Sequence, residues 1–326
     1  MFTGKIYAEW MRETQEEKIR GILEHIRPRG RILDIGCGAG VLEEYRPNIY
    51  STDVDLDNLR RVKATKVLAD GDRLPFKFRS FDTIFCIDTI HLLRDEREIH
   101  RVLSDDGVGV ISTFCNEYNK VEKLEELKDR FRGWEIEGEF IVGKEELDAV
   151  ILCRKRYNFD LLVSCRWGTF RQAREEVAGI LSRLGDEGPE IRPTIARGII
   201  GVKTDLDPRE VIRKIRVLYE QGSWPLQFAV KWVPIDVWVY SDLASMEEAV
   251  YGLKKKIRPG EKWRMTVEKR RYTRYHKIEI IRDLAELIDE KVDLSHPDKI
   301  LRVDILGKYA GLSVLEPRDI FSIMKF

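Results

Sequence analysis

Nowhere in the 326 residues do about 18 apolar residues follow one another, so no membrane-crossing helix is expected. The five cysteines, Cys37, Cys86, Cys115, Cys153 and Cys165, are odd in number and contain no CxxC pair. That usage argues against a disulfide framework and against a zinc or other metal site, and for reduced thiols in a cytoplasmic protein. The first twenty residues are charged throughout and lack the apolar centre of a signal peptide. Asn and Gln together number only nine while 35% of residues are charged, the composition of a protein from a very hot environment. With 43% of residues apolar and 10% aromatic, disorder and fibrous folds are excluded, and the length predicts two domains with their own cores. Net charge is absent as well, with 57 basic residues against 57 acidic. The balance conceals a division: residues 1–156 hold 27 basic and 31 acidic side chains, residues 157–326 hold 30 and 26. Within 254–277 eleven Lys or Arg face only Glu261 and Glu268, which points to a polyanionic partner for the C-terminal half.

What is present in the first half is an alternation of apolar runs and helical patterns. An amphipathic stretch over 6–26 precedes short strand-like runs at 31–36, 48–54, 66–69, 81–87 and 108–114, with helical patterns at 96–103 and 121–131. Two last runs, 134–142 and 147–153, read as an antiparallel hairpin at one edge. Such alternation predicts a doubly wound α/β sheet whose ligand site lies at the C-terminal ends of the strands. The loop Asp34-Ile-Gly36-Cys37-Gly38-Ala-Gly40 follows the first strand and opens a helix, and small residues let a ligand approach the backbone there. A dinucleotide loop wants its third glycine where Val41 stands. Asp34, two residues before the first glycine, would repel a pyrophosphate and attract an ammonium group, so a cationic ligand fits better.

Four stretches in this order resemble the Rossmann-like S-adenosylmethionine methyltransferases, most closely their small-molecule branch with an LPF motif. They are Asp34–Gly40, Ser-Thr-Asp53-Val54-Asp55, Asp70-Gly71-Asp72-Arg-Leu74-Pro75-Phe76, and Ser80-Phe81-Asp82. The resemblance implies S-adenosylmethionine as cofactor, held by Asp34, Gly36, Cys37, Gly38, Gly40, Asp53, Val54, Asp70 and Gly71. In it Asp34 lies near the methionine amino group, Asp53 accepts both ribose hydroxyls, and Asp70 receives the adenine amino group. A carboxylate with two acceptor oxygens suits a vicinal diol. Plainer duties stand beside these: Asp55, just before Leu56, is the better helix cap, and Asp70 and Asp72 also suit a turn before Pro75. The resemblance places acceptor contacts in Ile87-Asp88-Thr89-Ile90-His91-Leu92, where Asp88 and His91 are the catalytic candidates. A packing or capping role competes for His91. That loop lacks the Asp/Asn-Pro-Pro-aromatic motif that orients exocyclic base amines, which counts against N2-guanine or N6-adenine methylation.

The basic step Arg154-Lys155-Arg156 leads into a second half with no Gly/Ser linker. Strand patterns at 159–164, 195–204 and 228–240, the last a strand or a hairpin, alternate with helices opened by Thr169-Phe-Arg-Gln172, a capping-box pattern, and by Asp207-Pro208-Arg-Glu210. The order predicts an α+β ferredoxin-like unit over 157–243. An apolar strand at 228–240, read as exposed, offers a surface on which two copies could pair as a homodimer. Residues 244–326 then carry the basic run, in which Lys269-Arg270-Arg271-Tyr272-Thr-Arg274-Tyr275 interleaves cations with aromatics. Cations hold phosphates, and tyrosines stack on exposed bases. Four segments, 159–166, 263–271, 292–298 and 311–320, resemble the THUMP module and its ferredoxin-like partner, most closely the adaptor of the tRNA cytidine acetyltransferase. The resemblance implies binding of the tRNA acceptor stem and 3′ end. Lys254, Lys255, Lys256, Arg264, Lys269, Arg270, Arg271 and Arg274 are the candidate RNA contacts. Together the halves read as an S-adenosylmethionine-dependent tRNA methyltransferase. The alternatives are a non-catalytic or cofactor-sensing tRNA-binding adaptor for another modifying enzyme, such as one for cytidine acetylation, and a small-molecule methyltransferase.

Overall fold

A computed structural model describes residues 4–224 and 226–323, with side chains from Arg12 onward. The chain divides into two units, Met1–Arg156 and Tyr157–Phe326. No helix among the described residues is long and apolar enough to cross a membrane.

The first unit begins with α1 (Gly4–His25), β1 (Ile32–Ile35), α2 (Val41–Tyr45), β2 (Tyr50–Asp53), α3 (Leu56–Arg61), β3 (Thr65–Leu68) and β4 (Phe81–Cys86). It continues through α4 (Arg97–Val102), β5 (Leu103–Cys115), α5 (Lys120–Arg130), β6 (Trp134–Val142) and β7 (Leu147–Lys155). The strands form one sheet in the order β3-β2-β1-β4-β5-β7-β6, the first five parallel and β7 antiparallel to both neighbours. This is the Rossmann-like methyltransferase arrangement, with β7 slotted between β5 and the edge strand β6. All four residues of β1 are buried, because helices cover both faces. Leu33, Ile35, Ile84 and Ile151 pack on one face. Ile32, Phe85, Val110 and Val150 pack on the other against Ile19 and Ile22 of α1. Chain order reverses beside β1, so β1 and β4 part at their C-terminal ends and leave a crevice there. Asp55 caps α3 by accepting from Asp57 N–H at 2.8 Å.

The second unit holds β8 (Leu161–Cys165), α6 (Phe170–Arg183), β9 (Glu190–Pro193), β10 (Ile199–Lys203), α7 (Pro208–Glu220) and β11 (Ala229–Pro234). There follow β12 (Val237–Tyr240), α8 (Leu243–Leu253), β13 (Trp263–Arg270), α9 (Lys277–Ala285), β14 (Lys299–Leu306), β15 (Tyr309–Leu315) and β16 (Phe321–Ser322). One sheet runs β16-β11-β8-β10-β9 and a second β12-β15-β14-β13. Three expectations are corrected here. The run at 228–240 is neither one exposed strand nor a hairpin: Ile235 and Asp236 break it, β11 and β12 join different sheets, and nearly all their residues are buried. It therefore offers no surface for pairing two copies. The break at 243/244 does not separate the sheets either, since β12 precedes it yet pairs with β15, while β16 returns to β11. Finally, the Thr169 hydroxyl donates to Arg166 O at 2.8 Å instead of capping α6. Asp207, by contrast, caps α7 by accepting from Glu210 N–H at 2.7 Å. An aromatic core of Tyr157, Phe159, Trp238, Tyr240 and Tyr309 joins the two sheets, with Trp238 Nε1 donating to Phe159 O at 2.8 Å.

Candidate active site and nucleic-acid interface

The loop from β1 to α2 crosses the end of β2. Gly36 and Cys37 N–H groups both donate to Thr52 O, at 2.8 and 3.0 Å. Gly36, Gly38 and Gly40 sit at φ of 72°, 51° and 75°, where a side chain is strained. At Gly36 space forbids one as well, since a Cβ would stand 2.3 Å from Thr89 Oγ1. Gly38 N–H donates to Asp53 Oδ2 at 2.9 Å and Asp55 N–H to Asp53 Oδ1 at 2.8 Å, which fixes that carboxylate at the strand end. A cleft of about 520 Å³ opens beside the loop, lined by Asp34, Gly36, Cys37, Gly38, Asp88 and Thr89, with Gln15 of α1 across it.

Asp34 is the unusual group. It is buried, and no cation pairs with it among the described residues. Burial first, then the charges of Asp53 and Glu43, push its pKa up to about 7. A carboxyl so placed fits an ammonium group, whose charge would restore the carboxylate. Burial also pushes the Cys37 thiol well up, so that thiol is no nucleophile at neutral pH.

Four more residues expected around the cofactor are not among those lining this cleft. Gly40 opens α2. Val54 follows Asp53 and is exposed, as is Asp70, whose Oδ1 accepts from Asp72 N–H at 2.9 Å. The turn thus occupies one oxygen of Asp70. A Cβ on Gly71 would meet Leu93 Cδ2 at 2.6 Å, so a side chain there would have to push Leu93 aside.

At the reactive end the two candidates part. His91 is exposed on a short 3-10 turn, Ile90–Leu92, and does not line the cleft. Asp88 does, at φ 48°. Its Oδ2 accepts from Lys18 Nζ at 3.0 Å and from Gln15 Nε2 at 3.4 Å, while its Oδ1 is buried with no partner. Lys18 also meets Asp148 at 2.7 Å, and Ser112 Oγ accepts from Asp88 N–H while donating to Asp148. Burial works against the Lys18 charge, yet Asp148 and Asp88 hold its pKa above the ordinary lysine value. Burial and the Asp88 charge push Asp148 up. Lys18, Ser112 and Asp148 were missed in the sequence. Their signal was a lysine one turn before the buried Ile22 on α1, and a lone acid in an apolar strand.

In the second unit the basic run is divided by its contacts. Lys254 Nζ donates to Leu287 O at 3.1 Å, Lys256 pairs with Asp236 at 3.0 Å, and Arg264 donates to Leu294 O at 3.1 Å. Lys269 donates to Tyr275 O at 2.6 Å, and Arg270 reaches Asp304 at 3.8 Å. Lys255, Arg271 and Arg274 are exposed and have no ion pair among the described residues; Arg274 stands 5.2 Å over the Tyr275 ring. Tyr272 is anchored, its hydroxyl donating to Ser241 O at 2.7 Å, and burial raises its pKa to about 12.

Residues 7–161 match a family model described as a methyltransferase domain, and residues 240–315 match the THUMP domain. An uncharacterised protein of Methanocaldococcus jannaschii is 34% identical over 124 residues, 35% of this chain and 48% of that protein. A mitochondrial arginine-hydroxylase of Danio rerio is 33% identical over 92 residues, 24% of this chain and 29% of its own. A probable tRNA methyltransferase 9B of Mus musculus is 28% identical over 112 residues, 31% and 25% of the two chains. The chain thus spans less than half the length of these relatives. Among solved structures, a SAM-dependent methyltransferase of Thermotoga maritima, described as a possible histamine N-methyltransferase, aligns with TM-score 0.38 and 19% identity over 47% of this chain and 95% of its own. A SAM-dependent methyltransferase of Aquifex aeolicus aligns with TM-score 0.38 and 16% identity over 47% and 99%.

Proposed function

We propose that this chain, in which a methyltransferase domain is followed by a THUMP domain, uses S-adenosylmethionine to methylate tRNA. The observation that carries the cofactor reading is Asp34, a buried carboxyl beside a glycine-lined cleft with no cation of its own among the described residues. When bound, the sulfonium supplies a methyl group for in-line displacement, a reaction that asks mainly for positioning. In this reading Asp34 faces the ammonium group, and Asp53, fixed by two backbone donors, accepts the ribose hydroxyls. Asp70 uses its remaining acceptor capacity for the adenine amino group. Asp88, which lines the cleft, orients the methyl acceptor. The C-terminal unit holds the acceptor stem and 3′ end, with Lys255, Arg271 and Arg274 on the phosphates. The unpaired cysteines support action in the cytoplasm.

The adaptor reading has one observation in its favour: Asp88 is already ion-paired and His91 stands off the cleft. Incubating the chain with unmodified tRNA and radiolabelled cofactor separates the two. Labelled tRNA is expected; tRNA that binds but stays unlabelled turns the assignment to the adaptor. Calorimetry with Asp53→Ala tests the cofactor site by itself. Cofactor heat should vanish, and unchanged affinity overturns the site.

A further inference from the structure

The five-stranded sheet of the second unit carries a cavity of about 410 Å³ that no candidate RNA contact lines. Its walls are two turns, Arg166-Trp167-Gly168 after β8 and Thr194 to Gly198 between β9 and β10, and Phe170 and Ile199 add apolar surface. Trp167 is 77% exposed, whereas Trp232, Trp238 and Trp263 are fully buried. One exposed aromatic is ordinary, but this one stands on a cavity rim with the Arg197 guanidinium 5.9 Å over its ring. Arg166 and Arg197 are exposed without ion pairs among the described residues, and no carboxylate lines the cavity. The turns are also held in place before any ligand arrives. Cys165 N–H donates to Gly198 O at 2.9 Å, tying one turn to the other. Arg166 N–H donates to Phe228 O at 3.2 Å, and Ile195 N–H to the Tyr157 hydroxyl at 3.2 Å.

A flat ring with a π-face on offer, two unpaired guanidinium groups and no opposing acid call for a ligand that is planar at one end and anionic at the other. A base-paired duplex shows its phosphates and groove edges but keeps all except its end ring faces stacked inside. An unpaired nucleotide shows both. We propose that this cavity binds an unpaired nucleotide of the RNA substrate, its base on Trp167 and its phosphate on Arg166 and Arg197. The inference rests on the RNA reading above and adds to it a site on the other sheet, one that distinguishes single-stranded from paired RNA.

The test compares two labelled probes on the full chain, a short oligoadenylate and a blunt RNA duplex, with Trp167→Ala and Trp167→Phe beside the unsubstituted protein. Trp167→Ala should weaken oligoadenylate binding about five- to a hundredfold, the range given by removing a base-stacking aromatic. Trp167→Phe should keep most of it, and duplex binding should not change in either. The exposed position makes both variants fold normally, which a thermal melt checks. The inference is overturned if Trp167→Ala binds oligoadenylate like the unsubstituted protein, or if both probes weaken equally. It is overturned too if the substitution abolishes self-association while RNA binding stays put, because the cavity then receives a second copy. If the unsubstituted chain binds neither probe, it is the RNA reading itself that fails.

Discussion

Asp34 carries a charge only at some cost, and that cost sets how cofactor binding depends on pH. Its carboxyl has an ordinary pKa of 3.8 in the unfolded chain and about 7 in the fold. Between those values the folded state binds the extra proton, so the contribution of Asp34 to stability is full below 3.8 and is lost as pH rises through 7. Above pH 7 the free protein holds a buried, unpaired anion. Asp34→Asn should therefore raise the melting temperature of the free protein at pH 8 while removing cofactor binding, as read by calorimetry. In the unsubstituted protein a cationic ligand must displace the Asp34 proton, so affinity should fall by up to about tenfold per unit below pH 7. A flat affinity from pH 5.5 to 8 would refute that role for Asp34. Lys18 poses the opposite case, since its one positive charge is shared by Asp88 and Asp148. Lys18→Met leaves both carboxylates uncompensated and should cost about 3–5 kcal/mol. That is a fall in melting temperature on the order of 10 °C. Adding Asp148→Asn to Lys18→Met should recover part of it.

Elements were legible in the sequence where local chemistry decides them and illegible where a distant partner does. The caps at Asp55 and Asp207 follow from their own next three residues, and both side chains accept the expected backbone N–H. Thr169 carries the same pattern, yet its hydroxyl turns back to Arg166 O. This difference is measurable. Asp207→Ala should destabilise by about 1 kcal/mol, the usual loss of a helix cap, and Thr169→Ala by less than half of that in urea unfolding. Equal losses would show that Thr169 caps α6 in solution. The glycine loop was legible because Gly36 has no alternative: the Thr89 side chain fills the place of a Cβ. The division of 228–240 between two sheets was not, because apolar alternation reports burial and not which neighbour provides it. The Lys18 cluster escaped for the same reason: α1, β5, β7 and the loop after β4 each contribute one part of it, and no single segment contains the pattern.

At the scale of the whole molecule, 254–277 is strongly basic, but charge counted along a sequence overstates the charge available to a partner. Lys256 pairs with Asp236 at 3.0 Å, a carboxylate that Arg209 also reaches at 2.7 Å, and Arg270 leans on Asp304 at 3.8 Å. Lys255, Arg271 and Arg274 remain exposed without ion pairs among the described residues. Each cation that neutralises a phosphate releases condensed counterions, so the slope of log affinity against log salt reports how many phosphates the protein holds. Arg271→Ala with Arg274→Ala should reduce that slope for tRNA by about 2, roughly one for each phosphate that no longer has its arginine. Lys256→Ala, although in the same run and of the same charge, should change it by only a few tenths, because Asp236 already occupies that ammonium group. The measurement distinguishes the structure from the sequence count, which treats these cations alike. A Lys256→Ala slope change as large as that of a single arginine would mean that RNA pulls the lysine off Asp236, and that the ion pairs of the free chain do not select which cations bind.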